Sequence, residues 1–203
     1  MQKTIYLHHF YDDYSRLDNE IVTKLIEKHQ FTLIDKEGSL LFDETVDGTE
    51  LANQIQEHNR KVIALEVEGS GEYPPELVLG TIERKITYDK TFKGFLFFRY
   101  PSKVYLWQLL DKFLHRHNNL IPSMFLITPF DSLEQLEKQV TQWKEEHTVH
   151  YDSEKLSLVY TYWDYRKPLI DYFQDKNRFY IINSADKSSN QIFEEIDQIM
   201  ENL

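Results

Sequence analysis

The stretch "HHFYDDYSRLDN", residues 8–19, gathers the side chains best able to do chemistry near the start of the chain: two histidines, Asp12, Asp13, Asp18 and a single cation, Arg16. Imidazole and carboxylate groups can ligate divalent metals, and a guanidinium can meet a phosphate. His8 and His9 close a strand pattern, however. Neighbours on a strand point to opposite faces, so both cannot ligate one ion without a bend. They read as polar strand-end residues, and no metal is assigned. A second pair of cations, Arg99 and Lys103, follows the apolar run "GFLFF". With Arg16 they outline a candidate anion site at the C-terminal ends of strands, where open α/β sheets bind ligands. A third group lies in "VYTYWDYRKPLIDYF", residues 159–173, where Tyr160, Tyr162, Trp163 and Tyr165 share one helix. They cannot all face one core, and amphipathic aromatics are enriched at interfaces, so they outline a candidate interface. His115 and His117 end a helix, where positive charge suits the dipole and no ligand role is needed.

The elements that must position these groups follow from hydrophobic period. "TIYLH" (4–8) reads as a strand, and Val22, Leu25 and Ile26 recur at helical spacing after it. "FTLID" (31–35) is a second short strand. Thr49 is a candidate N-cap for a helix over 48–61, with Leu51 and Ile55 on one face. "PPELV" starts the next helix, with proline well placed near its first position. "GFLFFRY" (94–100) has the continuous apolar character of a buried parallel strand. A helix over 104–117 is expected to turn Leu106, Leu109, Leu110 and Phe113 inward. A strand over 123–130, a helix over 132–147, a long aromatic helix over 156–173, a strand over 178–184 and a helix over 188–203 complete the chain. Strands alternating with helices predict a mainly parallel sheet covered on both faces.

A chain of 203 residues with 41% hydrophobic and 14% aromatic residues can bury a core without staples. The 34 acidic against 23 basic residues give a net charge of −11, which disfavours nucleic acid and anionic membrane as partners. The absence of cysteine excludes disulfides, thiolate metal sites and a cysteine nucleophile. "MQKTIYLHHF" lacks the apolar stretch of a signal peptide, and no run reaches the roughly 18 residues of a membrane span. The expectation is a cytoplasmic protein.

Three stretches, in this order, resemble the adenylate kinase family of nucleoside monophosphate kinases. "GTELANQIQ…GEYPPELVLGTIERKI" resembles the family's monophosphate-binding helices, "GTEL…" followed by "GELVPDELV". "GFLFFRYPSKV" stands where the family has "GFLLDGFPRTV". "YRKPLIDYF…RFYIINSADKSSNQIFEEIDQIM" resembles the "TAPLIDYY" helix with its following strand and closing helix. The resemblance covers nearly the whole chain. It implies a single domain over 1–203: a parallel five-stranded, P-loop NTPase-like sheet with helices on both faces. Within it, 35–87 would be a helical subdomain of the monophosphate-binding type and 131–157 a short, reduced lid.

The resemblance does not carry over the chemistry. Phosphoryl transfer is positioning plus charge stabilisation. The family's glycine-rich cradle turns backbone N–H groups toward phosphate and ends in a lysine. Here the matching loop, 8–19, is longer and has no glycine, and the lysine position falls near Asp18. Where the family has "STGDLLR", this chain has "KEGSLLF", so the Thr falls on Glu37 and the phosphate-binding Arg on Phe42, while Gly38 survives. In "FFRYPSK" the family's Asp falls on Phe98, its Gly on Arg99, its Arg on Ser102 and its base-reading Gln on Leu106, while Pro101 survives. Residues 131–157 hold no Arg, only Lys138, Lys144 and Lys155, and the arginine expected at the start of the aromatic helix falls near Leu158. The expectation is a non-catalytic, adenylate-kinase-like protein with no catalytic residues and no cofactor. It would act by binding a protein partner, another copy of itself or another ligand. The alternative is a nucleotide kinase or nucleotide-binding protein whose phosphate contacts are remodelled around Arg16, Gly38, Arg99 and Lys103. The two differ in loop 8–19: it fills the phosphate volume in the first, and leaves a cleft lined by Arg16, Arg99 and Lys103 in the second.

Overall fold

The computed structural model describes residues 3–10, 16–35, 49–63, 73–88, 93–101, 103–116, 122–146 and 153–203. Five strands, β1 (Lys3–His9), β2 (Thr32–Asp35), β3 (Gly94–Phe98), β4 (Pro122–Thr128) and β5 (Phe179–Asn183), form one all-parallel sheet in the order β2-β3-β1-β4-β5. This order is consistent with a P-loop NTPase-like arrangement. The chain lays β2 and β3 on one side of β1 and β4 and β5 on the other. The C-terminal end of β1 is therefore where the winding reverses, the place a ligand crevice forms in such sheets.

The helices are α1 (Arg16–His29), α2 (Glu50–Ile63), α3 (Pro75–Tyr88), α4 (Val104–Arg116), α5 (Leu133–Glu146), α6 (Ser153–Thr161), α7 (Lys167–Gln174) and α8 (Ser189–Glu201). They cover both faces of the sheet. Ile5, Leu7, Leu96, Phe98, Phe125, Ile127 and Ile182 pack with α1 and α8. Tyr6, Phe95, Phe97, Met124 and Leu126 pack with α3 to α7. Each central strand thus buries both sets of alternating side chains, which is why β3 and β4 read as unbroken apolar runs. The register at the start of β3 requires glycine. Gly94 has φ +153°, and a Cβ there would lie 1.7 Å from the Lys3 carbonyl oxygen, its partner on β1.

Local signals place the ends. The Ala52 N–H donates to Thr49 Oγ1 at 3.2 Å, the cap expected for α2. α8 begins with a reciprocal capping box: Gln191 N–H donates to Ser188 Oγ, and Ser188 N–H to Gln191 Oε1 at 2.9 Å. α1 stops at Gln30, whose φ is +56°.

Two helices differ from the reading of the sequence. In α4 the buried side chains are Leu106, Trp107, Leu110 and Leu114, whereas Phe113 is half-buried and Leu109 is 42% exposed. Trp107 and Leu114 extend the apolar stripe to one side, which turns Leu109 toward solvent. The aromatic helix is not one α-helix. α6 passes into a π-helical turn over Tyr162–Arg166 before α7 resumes.

α2 joins the rest through its own small cluster. Ile55 and Leu77 pack with Leu51, Ala52 and Tyr73, while Val78 and Ile82 of α3 enter the main core. Within the segment 131–157, expected to be a reduced lid, α5 packs one face on the core. α5 buries Leu136 and Val140 completely, and only residues 147–152, outside the described residues, separate it from α6.

Candidate functional site

The switch point at the end of β1 is built from aromatic rings around a buried cation. Along β1, Tyr6, His8 and Phe10 alternate onto the face covered by α3 to α7. Just past β1, Phe10 is still tied to β4, its N–H donating to the Ile127 carbonyl at 2.9 Å. Its ring is fully buried against Phe130, Trp143 and Tyr162, each at a centroid separation of 6.2 Å. At the neighbouring strand end the Arg99 N–H donates to the Leu7 carbonyl at 3.0 Å. Both backbone donors bond to neighbouring strands of the sheet.

The cation is Arg166, on the π turn and 1% exposed. Its Nε donates to Nε2 of His8 at 2.9 Å, and its guanidinium carbon lies 5.3 Å from the centre of the Phe10 ring. A guanidinium only donates, so His8 Nε2 accepts and the ring proton is on Nδ1. The ring of His8 also stacks on Tyr6 at 5.8 Å. The π turn makes this possible. π turns are inserted where a helix must re-aim side chains and recur at functional sites. Here Tyr162 and Arg166 both point inward while Trp163, Asp164 and Tyr165 stay exposed. The Tyr162 hydroxyl donates to Glu137 at 3.2 Å, and Lys167 sits 3.4 Å from the same carboxylate. Burial, reinforced by the Glu137 carboxylate, pushes the Tyr162 phenol well above its ordinary range.

The residues singled out in the sequence are spread differently. Arg99 follows β3 at φ +55°, half-buried, with its guanidinium 5.1 Å from the Phe98 ring. Lys103 is half-buried beyond the cis Tyr100–Pro101 bond, and its carbonyl accepts from Leu106 N–H at 3.1 Å and Trp107 N–H at 3.4 Å. Arg16 is the first residue of α1, and its side chain is outside the description, as are Gly38, Glu37, Phe42 and Ser102. Asp12 and Asp13 also lie outside it, so loop 8–19 is described only at its two ends. Of the candidate interface, Tyr160 (59% exposed), Trp163 (37%) and Tyr165 (44%) face outward. Tyr162 is a correction: it is fully buried, because the π turn rotates it against Phe10.

A shallow groove runs between α3 and α4, lined by Pro75, Val78, Leu79, Tyr100, Pro101 and leucines of α4. Neither Arg99 nor Lys103 is among its lining residues, and its wall is almost wholly apolar. Among the described residues no group of three or more His, Asp or Glu is arranged to hold a metal, and no helix is long and apolar enough to cross a membrane.

Arg166 is the residue that reading the sequence passed over. Its signal was present: Tyr162, Arg166, Leu169, Ile170 and Phe173 form one inward stripe, and Arg166 is the single charge in it. No protein-family model matches the chain, and no curated protein is similar enough in sequence to match it.

Proposed function

We propose that this chain is a nucleoside-monophosphate-kinase-like protein that performs no phosphoryl transfer and acts by binding. The observation that carries this reading is the aromatic plug at the end of β1. A phosphate-binding edge needs small residues and outward N–H groups. Here Phe10, with no exposed surface, occupies that edge and gives its N–H to β4. The short connection between α5 and α6, residues 147–152, points the same way, since it is too brief for a lid that closes over phosphates. The exposed rings of Tyr160, Trp163 and Tyr165 supply a face for a protein partner or a second copy.

The test is thermal unfolding with ATP, ADP, AMP and a bisubstrate dinucleotide, each with and without Mg²⁺. A ligand at about 100 times its Kd stabilises a protein by about 2.7 kcal/mol. The expected result is no shift at millimolar nucleotide. A clear shift overturns the reading.

One observation favours a second reading, a nucleotide-binding protein with remodelled phosphate contacts. Arg99 follows β3, and the guanidinium of Arg166, on the π turn, reaches His8 near the end of the adjacent β1. Under that reading the nucleotide shift appears in the parent and is lost in Arg99→Ala.

A further inference from the structure

We draw no further inference here: the strongest candidate, the apolar groove between α3 and α4 lined by Val78, Leu79, Tyr100, Pro101 and Leu106 with the exposed Leu109 at its side, is an unpartnered face, and nothing in the structure shows what covers it.

Discussion

On the face of the sheet covered by α1 and α8, β1 contributes Ile5 and Leu7; on the opposite face the same strand contributes Tyr6, His8 and Phe10. The first face is closed mainly by aliphatic side chains such as Ile21, Leu25, Ile192 and Ile196. The second is closed by rings, among them Phe97, Trp107, Tyr162 and Phe173, and it contains the buried Arg166. Charge is handled differently as well. Within the α1–α8 layer the buried Asp197 accepts from the exposed Lys28 at 2.5 Å and from His29 at 2.8 Å. In the aromatic layer the contacts of the Arg166 guanidinium include the imidazole of His8 and the ring of Phe10. A buried cation is costly unless its donors are met, so the contacts around Arg166 bear directly on the stability of the aromatic layer.

The comparison is tested first at its strongest point. Phe10→Ala removes a fully buried ring and should cost about 3–5 kcal/mol in denaturant unfolding. A loss under about 1 kcal/mol, typical of surface changes, would mean the plug is not packed as described. Arg166→Met keeps the stem and removes the guanidinium, leaving His8 Nε2 without this donor. The expected loss is about 1–3 kcal/mol. An equally stable or more stable variant would show that the cation is a burden to the aromatic layer, as some buried charges are. On the aliphatic side, Ile196→Val should cost only about 0.5–1.5 kcal/mol, and Ser188→Ala, which removes the cap of α8, about 1 kcal/mol.

The Asp197 carboxylate gives a pH signature. Burial alone would raise the Asp197 pKa, but its bonds to Lys28 and His29 outweigh that and hold it below the ordinary 3.8. A depressed folded-state pKa adds stability above the unfolded value and loses it as pH falls through the folded one. The stability gap between the parent and Asp197→Asn should therefore persist at neutral pH and close in acid, below the ordinary carboxylate range. A gap independent of pH would assign Asp197 a packing role only. The smallest expected effect on folding is that of Trp163→Ala on the outer face, within about 0.5 kcal/mol. Its readout is self-association by sedimentation, which the change should weaken if a second copy is the partner.

Much of the fold was legible because period and punctuation agreed. Thr49, the prolines before α3 and the run "GFLFF" each marked an element that formed where expected. The Ser188–Gln191 box at the start of α8 is a signal of the same kind. The site was harder to read. Arg166 lies on the inward stripe that α-helical spacing gives, but a lone charge in such a stripe does not by itself show that it is buried. In α4 the buried stripe is set by Trp107, the larger side chain, which places Leu109 on the exposed side. The role of Phe10 depends on a backbone bond to β4, a long-range pairing that no local pattern encodes.

The π turn also bears on how this chain could change over generations. Five residues, Tyr162–Arg166, fill a turn that an ordinary helix closes with about 3.6. Loss of a single codon there would let α6 run straight into α7, but would swing one relative to the other by about 100°. Val159 would then leave the core, or Leu169 and Phe173 would.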